Sequence, residues 1–156
     1  MRDFFLTVQN MITTIPFKIL TLDAEGFHLM IKMKINGKNA NLIVDTGASK
    51  TVLDITRVAK FVKETEFKVH DKLSSGLGTN TMKSQTTTIK KMNLGDLEIN
   101  DYASVLLDLS HVNSSYEQIG LKPVEGVLGS DILLQYKAVI DYDKKTIKLK
   151  YPKNKK

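Results

Sequence analysis

The chain has 156 residues, with 23 Lys+Arg, 17 Asp+Glu, three His and no Cys, and a formal net charge of +6. That length suits one domain with a real core and is short for a two-lobed enzyme, while 42% hydrophobic and 26% charged residues argue against a disordered chain. The missing Cys excludes disulfides, thiolate zinc sites, Fe–S clusters and cysteine catalysis, and fits a reducing compartment.

Residues 1–14 form an N-terminal segment in which Phe4, Phe5, Val8, Met11, Ile12 and Ile15 recur at helical spacing, predicting a short amphipathic helix. It faintly resembles a signal peptide, but polar residues dilute it and no small-residue cleavage site follows. The cytoplasm is therefore the expected compartment, with periplasm or export left open. No run of 18 apolar residues exists, so no transmembrane helix is expected.

From Ile15 the pattern turns to strands. Phe17–Leu22 alternates, Ala24-Glu25-Gly26 reads as a turn, and Phe27–Ile35 alternates as a half-buried strand. Asn36-Gly37 predicts a hairpin turn, since both residues accept the positive φ of a type I′ turn. The return strand Ala40–Val44 ends at Asp45-Thr46-Gly47-Ala48-Ser49, and Asp54–Val62 reads as a short helix begun by Asp54. A strand over Glu66–Val69, a glycine-rich tip over Ser74–Asn80 and a strand over Ser84–Met92 follow. After a turn at Leu94–Leu97 comes a strand over Leu97–Leu107, then Ser110–Pro123, which reads as an exposed loop. Gly126–Gly129 precedes a short helix with Ser130 as its cap and Asp131 in its first turn, where an acid suits the helix dipole. A hairpin from Lys137 to Tyr151 and a basic tail, 152–156, close the chain. The first half, strand–turn–strand–Asp-Thr-Gly–helix, is echoed by a second ending in Val127-Leu128-Gly129.

Seven lysines and no acid lie between Lys144 and Lys156, so the positive charge belongs to the C-terminus and the remainder is close to neutral. With Arg2 and Arg57 the only arginines, specific nucleic-acid recognition has few tools here. His28, His70 and His111 have no companions at metal-ligand spacing and read as surface or strand residues; no metal or cofactor is expected. Phosphate loops, nucleophile elbows and zinc-protease motifs are absent.

Asp45-Thr46-Gly47 stands out because apolar Leu42-Ile43-Val44 delivers its carboxylate from a buried strand. Together with Ile15-Pro16-Phe17, the strand and turn Phe27–Gly37, Gly126-Val-Leu-Gly-Ser-Asp-Ile-Leu133 and the hairpin Val139–Leu149, it resembles the retropepsin-like (retroviral-type) aspartic proteases, including bacterial relatives. The likeness spans residues 15–150 and implies a mainly β, single-domain acid-protease barrel with one or two short helices, over residues 15–151.

The resemblance further implies an aspartic endopeptidase. Two aspartates hydrolyse a peptide with one carboxyl ionised and one protonated, because like charges about 3 Å apart cannot both ionise. The chain has one Asp-Thr-Gly and no acid at the matching point of its second half, so it implies a homodimer with Asp45 from each subunit at the two-fold axis. By the same resemblance Thr46 bonds across that axis, Gly47 lets the backbone approach a peptide or protein substrate, and Ala48 and Ser49 lie near the substrate backbone. Val127 lines a pocket, while Gly76, Leu77 and Gly78 belong to a flap that closes over the peptide. Ala48 supplies no hydroxyl to the aspartate, which predicts a mildly acidic optimum. Ser49 and Ser130 stand where many retroviral enzymes carry an ion pair. The competing reading is a dimeric peptide-binding or scaffolding module with the same fold and little turnover.

Overall fold

The computed structural model describes residues 9–63, 68–76 and 79–153. They form ten strands: β1 (Asn10–Thr21), β2 (Phe27–Ile35), β3 (Lys38–Val44), β4 (Val52–Asp54), β5 (Lys68–Gly76), β6 (Thr79–Leu94), β7 (Leu97–Leu107), β8 (Gly126–Leu128), β9 (Val139–Asp141) and β10 (Thr146–Pro152). Two helices, α1 (Ser110–Gln118) and α2 (Ser130–Gln135), flank β8 in the chain. The strands run side by side as β5-β6-β7-β4-β8-β3-β2-β1-β10-β9. A further pairing of β6 with β2, Ile35 opposite Met92, closes β2-β3-β8-β4-β7-β6 into a six-stranded barrel. Its interior is filled by Ile31, Ile35, Leu42, Leu53, Ile89, Met92, Leu94, Leu106 and Leu128, each essentially inaccessible to water. Burial of that apolar surface, at about 25 cal/mol per Å², is the main stabilising term.

The repeat seen in the sequence becomes an interlock. β8 of the second half inserts between β3 and β4 of the first, and β4 inserts between β7 and β8 of the second. Of the three contacts this makes between the halves, the outer two are parallel, with Ile43 opposite Val127 and Leu53 opposite Leu106, and the central one, β4 with β8, is antiparallel. The hairpin turns follow their chemistry. Asn36 and Gly37 both adopt positive φ, 49° and 82°, as a type I′ turn demands. At Gly95, φ is 58° and an added Cβ would meet the Thr13 hydroxyl oxygen at 2.4 Å, so glycine is required twice over.

Four sequence expectations need correction. The N-terminal helix does not extend into residues 10–15, which are strand; residues 1–8 lie outside the described residues. There Thr13, Ile15 and Phe17 are buried at period two, while Met11 and Ile12, which suggested helical spacing, are exposed. β1 pairs first with β10 and then with β2, changing partner at Pro16–Phe17, where proline supplies no ladder donor. Asp54–Val62 is a turn and one 3-10 turn over Val58–Lys60, with Asp54 in β4. Ser110–Pro123 is not an exposed loop: its first nine residues are α1, anchored by buried Tyr116 in a small cluster with Met30, Ile43 and Val124. Finally, extended Gly129 precedes α2, so Ser130 is its first helical residue and not its cap.

The expected strand over Glu66–Val69 begins at Lys68, residues 64–67 being outside the described set. β5 and β6 form the expected hairpin, paired as far as Gly76 opposite Thr79; Leu77 and Gly78 also lie outside the described residues. The C-terminal hairpin forms as β9 and β10. No helix among the described residues is long and apolar enough to cross a membrane.

Candidate active site

Asp45 is the first residue beyond β3. Its amide donates to the Leu128 carbonyl of β8 at 3.0 Å, continuing the parallel β3–β8 contact by one residue. The chain then reverses: the Ala48 amide donates to the Asp45 carbonyl at 3.1 Å, and the Gly47 amide donates to Asp45 Oδ1 at 2.9 Å. This amide donor fixes the orientation of the carboxylate. Asp45, Thr46, Gly47 and Ser49 are exposed, and Ala48 is half-buried.

Below the loop, the second half of the chain holds it in place. The Ser130 amide donates to the Ala48 carbonyl at 2.7 Å, and the Gly129 amide to Thr51 Oγ1 at 2.9 Å. Thr51, itself buried, passes its own hydroxyl and amide hydrogens to Asp131 Oδ1, at 2.8 and 2.9 Å. The Tyr102 hydroxyl donates to the other oxygen of Asp131. Burial, reinforced by that hydrogen bond to the carboxylate, pushes the Tyr102 phenol well above its ordinary range and keeps it a donor. Asp131 thus joins β7, the Asp45 loop and α2. The structural role expected of it holds, through side-chain contacts beyond the helix dipole.

A cleft of about 350 Å³ opens beside Asp45 and Thr46, walled by Leu29, Ile43, Val44 and Val127, with Phe27 and Tyr142 at exposed positions in its lining. The structure therefore brings Val127 and Asp45 together, as expected. Two further lining residues escaped the sequence reading: His28 on β2 and Tyr116 on α1, whose Nδ1 and hydroxyl lie 2.6 Å apart. Burial pushes the Tyr116 phenol up to about 12. The alternation of β2 could have placed His28 on the side of β2 opposite Phe27 and Leu29, but nothing local pairs it with a tyrosine 88 residues away.

Two other carboxylates are more deeply placed than Asp45. Asp54, fully buried, accepts hydrogen bonds from Thr56, the Leu109 amide and Asn113, tying β4 to the start of α1. Glu125, 4% exposed, accepts the Asn41 amide and pairs with Arg57 and Lys60, each at 3.1 Å. Each is fully engaged by structural donors. A larger groove of about 550 Å³ between Thr56–Arg57 and α1 contains Glu117 as its one carboxylate and lacks the exposed loop geometry of Asp45. Among the described residues, no three His, Asp or Glu side chains group as a metal site.

A family model of aspartyl proteases matches residues 31–132, from β2 through α2. The chain belongs to the aspartyl protease family. Its fold is retropepsin-like: a retropepsin-like aspartic protease from Rickettsia conorii superposes with a TM-score of 0.57 at 22% identity, covering 93% of this chain and 96% of the other. The retroviral protease-like domain of Ddi1 from Leishmania major superposes at 0.50 with 16% identity, covering 74% and 82%. No match is found among curated proteins. Within the matched stretch, Asp45-Thr46-Gly47 is set where a buried strand surfaces into a largely apolar cleft.

Proposed function

We propose that this aspartyl protease is an endopeptidase active as a symmetric homodimer, with the two Asp45 carboxyls sharing one proton and one water. The observation that carries the reading is the exposed Asp45 on a loop fixed from below, in a chain that holds a single Asp-Thr-Gly. One Asp45, ionised, takes a proton from the water as it attacks the scissile carbonyl; the other, protonated, donates to the carbonyl oxygen. Roles then return as the tetrahedral intermediate collapses and the amine leaves with a proton.

Thr46 hydrogen-bonds across the two-fold axis and Gly47 leaves room for the peptide backbone, which Ala48 and Ser49 flank. Val127 walls a side-chain pocket. The β5–β6 hairpin, with Gly76, Leu77 and Gly78 at its tip, folds over the peptide and excludes water. With Ala48 offering no hydroxyl to Asp45, the rate profile is mildly acidic.

Cleavage of a diverse peptide library tests this. Asp45→Asn is expected to lower kcat by at least about 10²–10⁴-fold, the scale of general acid–base catalysis. It should leave folding and dimerisation intact, because Asp45 is exposed and its side chain receives the Gly47 amide alone among the described contacts. A wild-type protein that binds peptides yet cleaves none would favour the scaffolding reading.

A further inference from the structure

The Asp45 cleft is apolar apart from Asp45, Thr46, the exposed Tyr142 and one polar couple, His28 with Tyr116. His28 lies one residue beyond the last pair of the β2–β3 ladder, Leu29 opposite Val44, and so sits across from Asp45. Its ring is half-buried, with Nδ1 held 2.6 Å from the hydroxyl of Tyr116, which is only 2% exposed. Among the described residues the Tyr116 hydroxyl has no other hydrogen-bond partner. A buried phenol that merely accepted from His28 would strand its own hydrogen, so it donates to Nδ1 and the imidazole carries its hydrogen on Nε2. Nε2 has no partner among the described residues, and it is not among the buried unpartnered atoms, so it reaches the open cleft.

Building on the endopeptidase reading, we infer that His28, oriented by Tyr116, is a specificity-determining residue that selects substrates with a hydrogen-bond-accepting side chain, an amide or carboxylate, beside the cut. A donor set among apolar walls discriminates in this way because an apolar side chain seated there leaves the N–H desolvated and unpaired. Tyr116 is a positioning residue: it touches no substrate but fixes the tautomer. Helix α1 thereby serves the site by carrying Tyr116 to the cleft floor.

The test is a set of peptides differing only in Gln, Glu or near-isosteric Met at each position flanking the cleaved bond. In wild type one position should show kcat/KM about tenfold or more higher for Gln and Glu than for Met, the scale of one hydrogen bond in a partly desolvated site. In His28→Leu that ratio should fall to about one or below, with cleavage of the Met peptide retained. Tyr116→Phe keeps the ring packing and frees the tautomer, so it should lower the ratio of Gln and Glu to Met below the wild-type value. It also covers the case in which His28→Leu fails to fold. Cleavage with the same Gln-to-Met ratio in wild type and the folded variants would overturn the inference and leave the protease reading standing. If wild type cleaves no peptide, both fall.

Discussion

At the residue scale the Asp45 loop depends on a side chain outside it. Asp131 Oδ1 accepts the amide and hydroxyl of Thr51, whose oxygen in turn accepts the Gly129 amide, and Oδ2 accepts Tyr102. Thr51 and Gly129 are buried and Tyr102 and Asp131 half-buried, so solvent replaces a lost acceptor only in part. Tyr102→Phe removes one charge-assisted bond and should cost about 1–3 kcal/mol. Asp131→Ala strands three donors and should cost more. Urea unfolding of each variant measures this, and an unchanged midpoint for Asp131→Ala would contradict the assigned role. Asp131 stood out in the sequence only as an acid at a helix start. Its partners lie 80 and 29 residues away, and no local pattern encodes such pairings.

At the element scale the interlock of β3, β8 and β4 sets how closely the two halves approach. A Cβ on Gly129 would lie 2.6 Å from the Lys50 carbonyl oxygen and 2.9 Å from that of Ala48, both backbone atoms of the Asp45 loop segment. Gly129→Ala must therefore displace the loop. It should destabilise the fold by about 1–3 kcal/mol, as overpacking does, and lower kcat by a larger factor than the stability loss alone implies. Thermal unfolding with parallel kinetics separates the two effects; a variant with wild-type stability and turnover would refute the packing constraint. The strands were legible because period-two alternation and turn residues such as Asn36-Gly37 are local signals. Helix α1 was not, since its hydrophobic anchoring rests on Tyr116 and the cluster it enters comes from β2, β3 and the segment before β8. The strand over residues 10–15 was misread as helix for a related reason. Its conformation comes from pairing with β10, Met11 opposite Tyr151 and Ile15 opposite Ile147, a contact between the two ends of the chain.

At the scale of the whole molecule, one chain presents one Asp45 on an exposed loop, in its single Asp-Thr-Gly. The Asp-Thr-Gly motif and its apolar approach were readable from the sequence because chemistry of this kind is carried by contiguous residues. His28 was not, because its significance arises only when β2 lays it opposite Asp45 and α1 supplies Tyr116. The central claim is that two chains make one catalytic unit, and mixing tests it directly. Wild type and Asp45→Asn are combined at equal amounts, allowed to exchange subunits, and assayed against the same total concentration of wild type. If each active site needs an Asp45 from both chains, only dimers with two wild-type subunits work and activity falls to about one quarter. A value of about one half, the simple dilution of an independent monomer, would contradict the account.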